Sequence, residues 1–213
     1  MSGILDISAE IKHSRYQKKL ILLLLSLLTL LSVLLAMTQG PVKVPLHELP
    51  RLLFSHDLSG QDLMYQRLLI HIRFPRVLLA CIAGGVLAVA GATLQALFRN
   101  PLAEPGLIGV SAGASLGAVL SIVLLGGGFW IIAPMAFVGS LGATLLAYLI
   151  GKRYGGVAGL LLAGIAINAI VFSIIGLITY IASDTQLRDF TFWSMGSVAT
   201  STWQLLAGIV PWS

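Results

Sequence analysis

The chain has 213 residues, 57% of them hydrophobic and only 10% charged, with a mean hydropathy of +0.96. No water-soluble fold can bury that much apolar surface, so composition excludes a soluble globular domain and requires a membrane protein. The net charge of +5 does not indicate nucleic acid, because the 13 Lys and Arg avoid the apolar runs and gather in short segments between them.

In chain order, residues 1–19 read as a cytoplasmic N-terminal segment and residues 20–213 as one membrane-spanning domain. A span needs about 20 largely apolar residues. The first is 20–38, preceded by Lys18 and Lys19. A cleavable signal would have a shorter core and small residues at both positions before the cut, and Leu34 and Ala36 supply only one, so the helix reads as uncleaved. A long polar segment follows, and then runs 77–98, 107–125, 131–150 and 157–182, none containing Asp, Glu, Lys or Arg. A sixth run opens near Trp203 and reaches Ser213 after about ten residues, too few to cross a bilayer. The expectation is an all-α polytopic bundle of about five complete spans and part of a sixth, C-terminally truncated.

Charge near the span ends gives orientation. With the N-terminus in the cytoplasm, the inside segments carry Lys12, Arg15, Lys18 and Lys19, then Arg99, then Lys152 and Arg153. The short outside loops carry only Arg188. The exception is the long first outside loop, where Lys43, Arg51, Arg67, Arg73 and Arg76 are offset by Glu48, Asp57 and Asp62. Small residues recur every fourth position: Gly84, Ala88, Ala92 and Ala96 on the second span, Gly109, Gly113 and Gly117 on the third, Gly139, Ala143, Ala147 and Gly151 on the fourth. Such faces let helix backbones approach closely in lipid. Cys81, the only cysteine, reads as a small packing residue within an apolar run.

Two enzyme-like motifs do not survive inspection. Gly109-Val-Ser-Ala-Gly113 matches the G-x-S-x-G of serine hydrolases, but that motif needs a strand-to-helix turn and a base, and His13, His47, His56 and His71 all lie outside the spans. Gly151-Lys152-Arg153 lacks the leading glycine and the Ser or Thr of a phosphate-binding loop. No catalytic residue, metal ligand or bound cofactor is expected, and energy from ATP would come from a partner.

The most informative stretch is Arg99-Asn100-Pro101-Leu102-Ala103-Glu104-Pro105-Gly106-Leu107-Ile108-Gly109 between the second and third spans. Pro101 and Pro105 forbid a continuous helix, and the segment reads as a rigid, shaped surface. Together with Arg73-Phe-Pro-Arg76, Gln95-Ala-Leu-Phe98, Leu161-Leu-Ala-Gly-Ile165 and Phe192-Trp-Ser-Met-Gly196, it closely resembles the permease family of binding-protein-dependent iron-siderophore, haem and vitamin B12 ABC importers. The resemblance runs over roughly residues 65–205.

Family permeases have about ten spans of about 20 residues each. The resemblance implies a homodimer in the bacterial inner membrane, two ATP-binding cassette subunits, a periplasmic substrate-binding protein, and import of an iron chelate, haem or cobalamin. It places Asn100, Pro101, Leu102 and Pro105 at the cytoplasmic gate and makes the fifth span line the pathway; Asn168, the strongly polar residue nearest the middle of that span, reads either as a helix-to-helix hydrogen bond or as a side chain facing the pathway. A second gate position falls on Val157 and Ala158, where the vitamin B12 importer has small hydroxyl residues. Arg73 and Arg76 fall where that importer's arginines meet its binding protein; snorkelling to lipid phosphates is the alternative. A secondary transporter or channel would carry ionisable residues within its spans, and these spans have none. A non-transporting fragment is the remaining alternative.

Overall fold

A computed structural model of the protein describes the backbone of residues 2–55 and 58–209, and side chains within those limits from Tyr16 onward. Lys12, His13, Arg15, His56, Asp57 and the end of the sixth apolar run therefore lie outside the described side chains. The secondary structure of the described residues is helical, as expected, and four helices are long and apolar enough to cross a membrane.

Helix α1 (Ser2–Thr38) runs without a break through the expected boundary at residue 19, and its apolar part is Tyr16–Thr38. The first loop holds α2 (Leu49–Phe54) and α3 (Gln61–Leu68). A π-turn, Leu69–Arg73, joins α3 to α4 (Phe74–Phe98). Pro75 has no N–H to offer the carbonyl of His71, and the wider turn accommodates that missing bond. The run Gln61–Phe98 has 38 residues, about 57 Å of helix, whereas the hydrocarbon core is about 30 Å thick. Its polar α3 end therefore extends beyond the apolar layer, and α4 alone is long enough to cross it.

Helix α5 (Val110–Leu124) has 15 residues, fewer than the third expected span. Pro105–Ile108 forms a 3-10 turn and Gly109 adopts φ +91°, left-handed, which removes the first residues of that span from the helix. Helices α6 (Phe129–Gly151) and α7 (Gly156–Ile181) lie close to their expected limits. Helix α8 (Asp184–Met195) was not expected, and α9 (Trp203–Ile209) opens the sixth run.

The chain forms two compact units, Met1–Ile82 with Val198–Ser213, and Ala83–Ser197. In the first, Met37, Val44, Leu49, Leu52 and Leu69 make the core. Trp203 donates its indole N–H to the Ile70 carbonyl of the π-turn at 2.9 Å and stacks on Phe74 with ring centroids 5.6 Å apart. In the second, Ala112, Val119, Ala143, Ala147, Ile167 and Val171 are buried between α5, α6 and α7. The small faces explain how the backbones come so close. Gly113 lies against the Gly139 carbonyl and Ala143, Gly117 against the Met135 carbonyl, and Gly151 against Gly159 and Leu160. With no hydrophobic drive in lipid, such contacts hold helices together by dispersion and weak Cα–H bonds. The small residues on α4 are different, since a Cβ added at Gly84 would meet nothing within 4 Å.

Candidate functional site

Helix α4 ends because Arg99 turns left-handed at φ +49°, the one non-glycine residue with positive φ among those described. The Asn100 amide still donates to the Gln95 carbonyl at 3.1 Å. Its side-chain Oδ1 accepts from the Leu102 amide at 2.9 Å, and its carbonyl accepts from the Ala103 amide at 3.2 Å. Asparagine followed by proline builds this turn because the short amide mimics backbone and Pro101 presets φ. The consequence is that Leu102 stands 83% exposed while Ala103 is buried. Glu104 is extended, as a residue before proline must be. The 3-10 turn then closes with Leu107 N–H to the Glu104 carbonyl at 3.2 Å.

Helix α7 holds this turn at two points one helical turn apart. At Gly164 an added Cβ would stand 2.9 Å from the Ile108 Cα and would also overlap the Leu107 carbonyl, so only glycine fits. At Asn168 the side-chain Nδ2 donates to the Gly106 carbonyl at 2.9 Å, while Oδ1 is buried with no hydrogen-bond partner among the described residues. The loop expected to form the gate and the polar residue expected on the pathway helix are thus brought into direct contact. Sequence spacing had no way to signal a bond across 62 positions. Val157 and Ala158 are exposed at the start of α7.

The two arginines at the start of α4, Arg73 just before it and Arg76 in its first turn, are separated by their surroundings. Arg73 is 7% exposed and its guanidinium donates to the Met37 and Val42 carbonyls. Gly40 lies beside it, where an added Cβ would be 2.9 Å from Nη2. Arg76 is exposed. Elsewhere in the first unit, an apolar cleft of about 410 Å³ is lined by residues including Met37, Phe54, Phe74 and Cys81. Cys81 is exposed there and not packed in a core.

Residues 27–213 match the FecCD transport family. The chain belongs to the FecCD transport family. It is 40% identical over 204 residues to the hemin transport system permease protein HmuU of Yersinia pestis, an alignment covering 91% of this chain and 58% of that one. It is 37% identical over 196 residues to the vitamin B12 import system permease protein BtuC of Escherichia coli O127:H6, covering 89% of this chain and 56% of the relative. A solved ABC transporter described as of metal-chelate type, in an inward-facing conformation, superposes with a TM-score of 0.73 at 30% identity. That match covers 90% of this chain and 58% of the solved one. The chain thus spans a little over half the length of the relatives it matches. The turns and helices described above are this chain's rendering of that fold.

Proposed function

We propose that the chain is the membrane-spanning part of a permease in an ATP-driven importer, moving an iron chelate, haem or cobalamin from periplasm to cytoplasm. The observation that carries this reading is the Asn100–Gly109 loop: a rigid turn that holds an apolar side chain, Leu102, out from the bundle and is tied to α7. The family membership and the hemin and vitamin B12 relatives support it. In the working assembly the permease pairs with a second copy, so that two Leu102 side chains meet as an apolar plug. Two ATP-binding cassette subunits supply energy, and a periplasmic binding protein delivers cargo to the edge that carries Arg76. The permease hydrolyses nothing itself and lies in the inner membrane with its N-terminus in the cytoplasm.

The test is uptake by the full-length protein reconstituted with its ATPase and binding protein. Hemin, a ferric siderophore and cobalamin are each offered with and without ATP, and one of them should accumulate only with ATP. Leu102→Gly should raise leak of that cargo without ATP, because the plug loses its side chain. No ATP-dependent uptake of any of the three refutes the transport reading, and an unchanged leak moves the gate elsewhere.

A further inference from the structure

Within the described residues of the loop, the bond from Asn168 Nδ2 to the Gly106 carbonyl is the one side-chain hydrogen bond to α7. The loop's other side-chain bond, from the Leu102 amide to Asn100 Oδ1, is internal. A loop that is stiff within itself and tied to a helix at one polar point moves as a unit with that helix. Gly164 adds a close backbone contact at the Leu107 carbonyl and the Ile108 Cα, a second and non-directional hold on the same loop. Separation of the loop from α7 is opposed by the Asn168 bond. The oxygen of the same amide, Oδ1, is buried.

We infer that Asn168 is a positioning residue that couples α7 to the Leu102 loop, so that displacement of the helix moves the loop. This rests on the transport reading for what the movement accomplishes. The joint itself is independent of cargo. Asparagine suits the role because it carries a neutral donor and a neutral acceptor on one short stem, which an apolar membrane interior tolerates better than a charge.

The experiment uses the full-length protein with its ATPase in proteoliposomes, in a Cys81→Ala background carrying Leu102→Cys. A membrane-impermeant maleimide is applied from the cytoplasmic side. With Asn168 intact, the labelling rate should change severalfold between nucleotide-free and ATP-bound states. Asn168→Leu should abolish that response while leaving assembly with the ATPase intact. Asn168→Asp is the variant that a merely structural role would not predict: ionised, it cannot donate to the Gly106 carbonyl, and protonated it can. The nucleotide response should therefore be lost at high pH, where the carboxyl is ionised, and return as falling pH protonates it. Glu104, whose Oε1 lies 3.4 Å from where a Cβ on Gly106 would stand, is the titratable side chain beside the joint. The protein with Asn168 intact controls for its titration. A nucleotide response that persists in Asn168→Leu overturns the inference. So does an Asn168→Asp profile that follows the control, or labelling that ignores ATP with Asn168 intact. Cargo uptake in parallel vesicles with Leu102 and Asn168 intact and the binding protein added reads the transport proposal separately: labelling that responds to ATP while no cargo moves there sinks that proposal and leaves the joint standing.

Discussion

Arg73 sends its guanidinium to two carbonyls, Met37 in the last turn of α1 and Val42 just beyond it. The last carbonyls of a helix lack intrahelical partners and carry the negative end of its dipole, so a cation is favoured there. Sequence alone read this arginine as a docking residue or a lipid anchor and did not signal this contact, because the partners lie more than thirty positions away and are backbone. Arg73→Ala should leave both carbonyls unpaired at about 1–3 kcal/mol each. Gly40→Ala should also destabilise, since its Cβ would stand 2.9 Å from a guanidinium that the two carbonyls hold in place. The two changes should be non-additive, with Gly40→Ala costing less once Arg73→Ala has emptied the space and only the backbone strain at φ +155° left. Thermal unfolding of the two single variants and the double variant in detergent measures this. Additivity within about 0.5 kcal/mol would mean the side chains do not meet.

At the scale of elements, the small-residue spacing located the faces by which α5 and α6 meet, because a four-residue repeat is a property of one helix and needs no tertiary information. It did not say which helix meets which. Gly84 belongs to the same kind of pattern and has nothing within 4 Å of an added Cβ. Span limits were legible to within a residue or two at α6 and α7. At α5 they were not, because hydropathy counts Leu107 and Ile108 as apolar while Pro105 and Gly109 set a different backbone. Helix α8 is too polar for a hydropathy search, although a local signal existed in Ser183 and Gln186, which form a capping box. Gln186 then donates to the Val123 carbonyl at the end of α5 at 3.0 Å. Glycine to alanine changes separate the two kinds of face. Gly113→Ala forces a Cβ into Ala143 and the Gly139 backbone and should cost about 1–3 kcal/mol. Gly142→Ala on α6 meets nothing within 4 Å and should be neutral or stabilising by up to about 1 kcal/mol. Equal melting shifts for the two would contradict the α5–α6 contact.

At the scale of the whole molecule, the arginines three apart at the start of α4 were equivalent in sequence, and burial makes them unequal. On the proposed reading a binding protein approaches this edge, and only a side chain that reaches solvent can meet it. Arg76 does, whereas Arg73 is committed to the carbonyls of its own chain. Charge pairs at the rim of an interface act mainly on orientation and association rate, and salt screens them over about 8–10 Å at physiological strength. Arg76→Glu in the full-length protein should therefore slow association with the loaded binding protein and flatten its salt dependence. The accompanying loss of affinity should be about tenfold, or roughly 1.4 kcal/mol. Its melting temperature should not move. Arg73→Glu should behave in the opposite order, losing stability first, because a carboxylate is driven against the Met37 and Val42 carbonyls. Association kinetics in nanodiscs over a salt series, beside thermal unfolding of the same samples, separate the two effects. If Arg76→Glu associates at the original rate with the original salt slope, Arg76 is not part of the docking edge, and its charge serves the lipid headgroups.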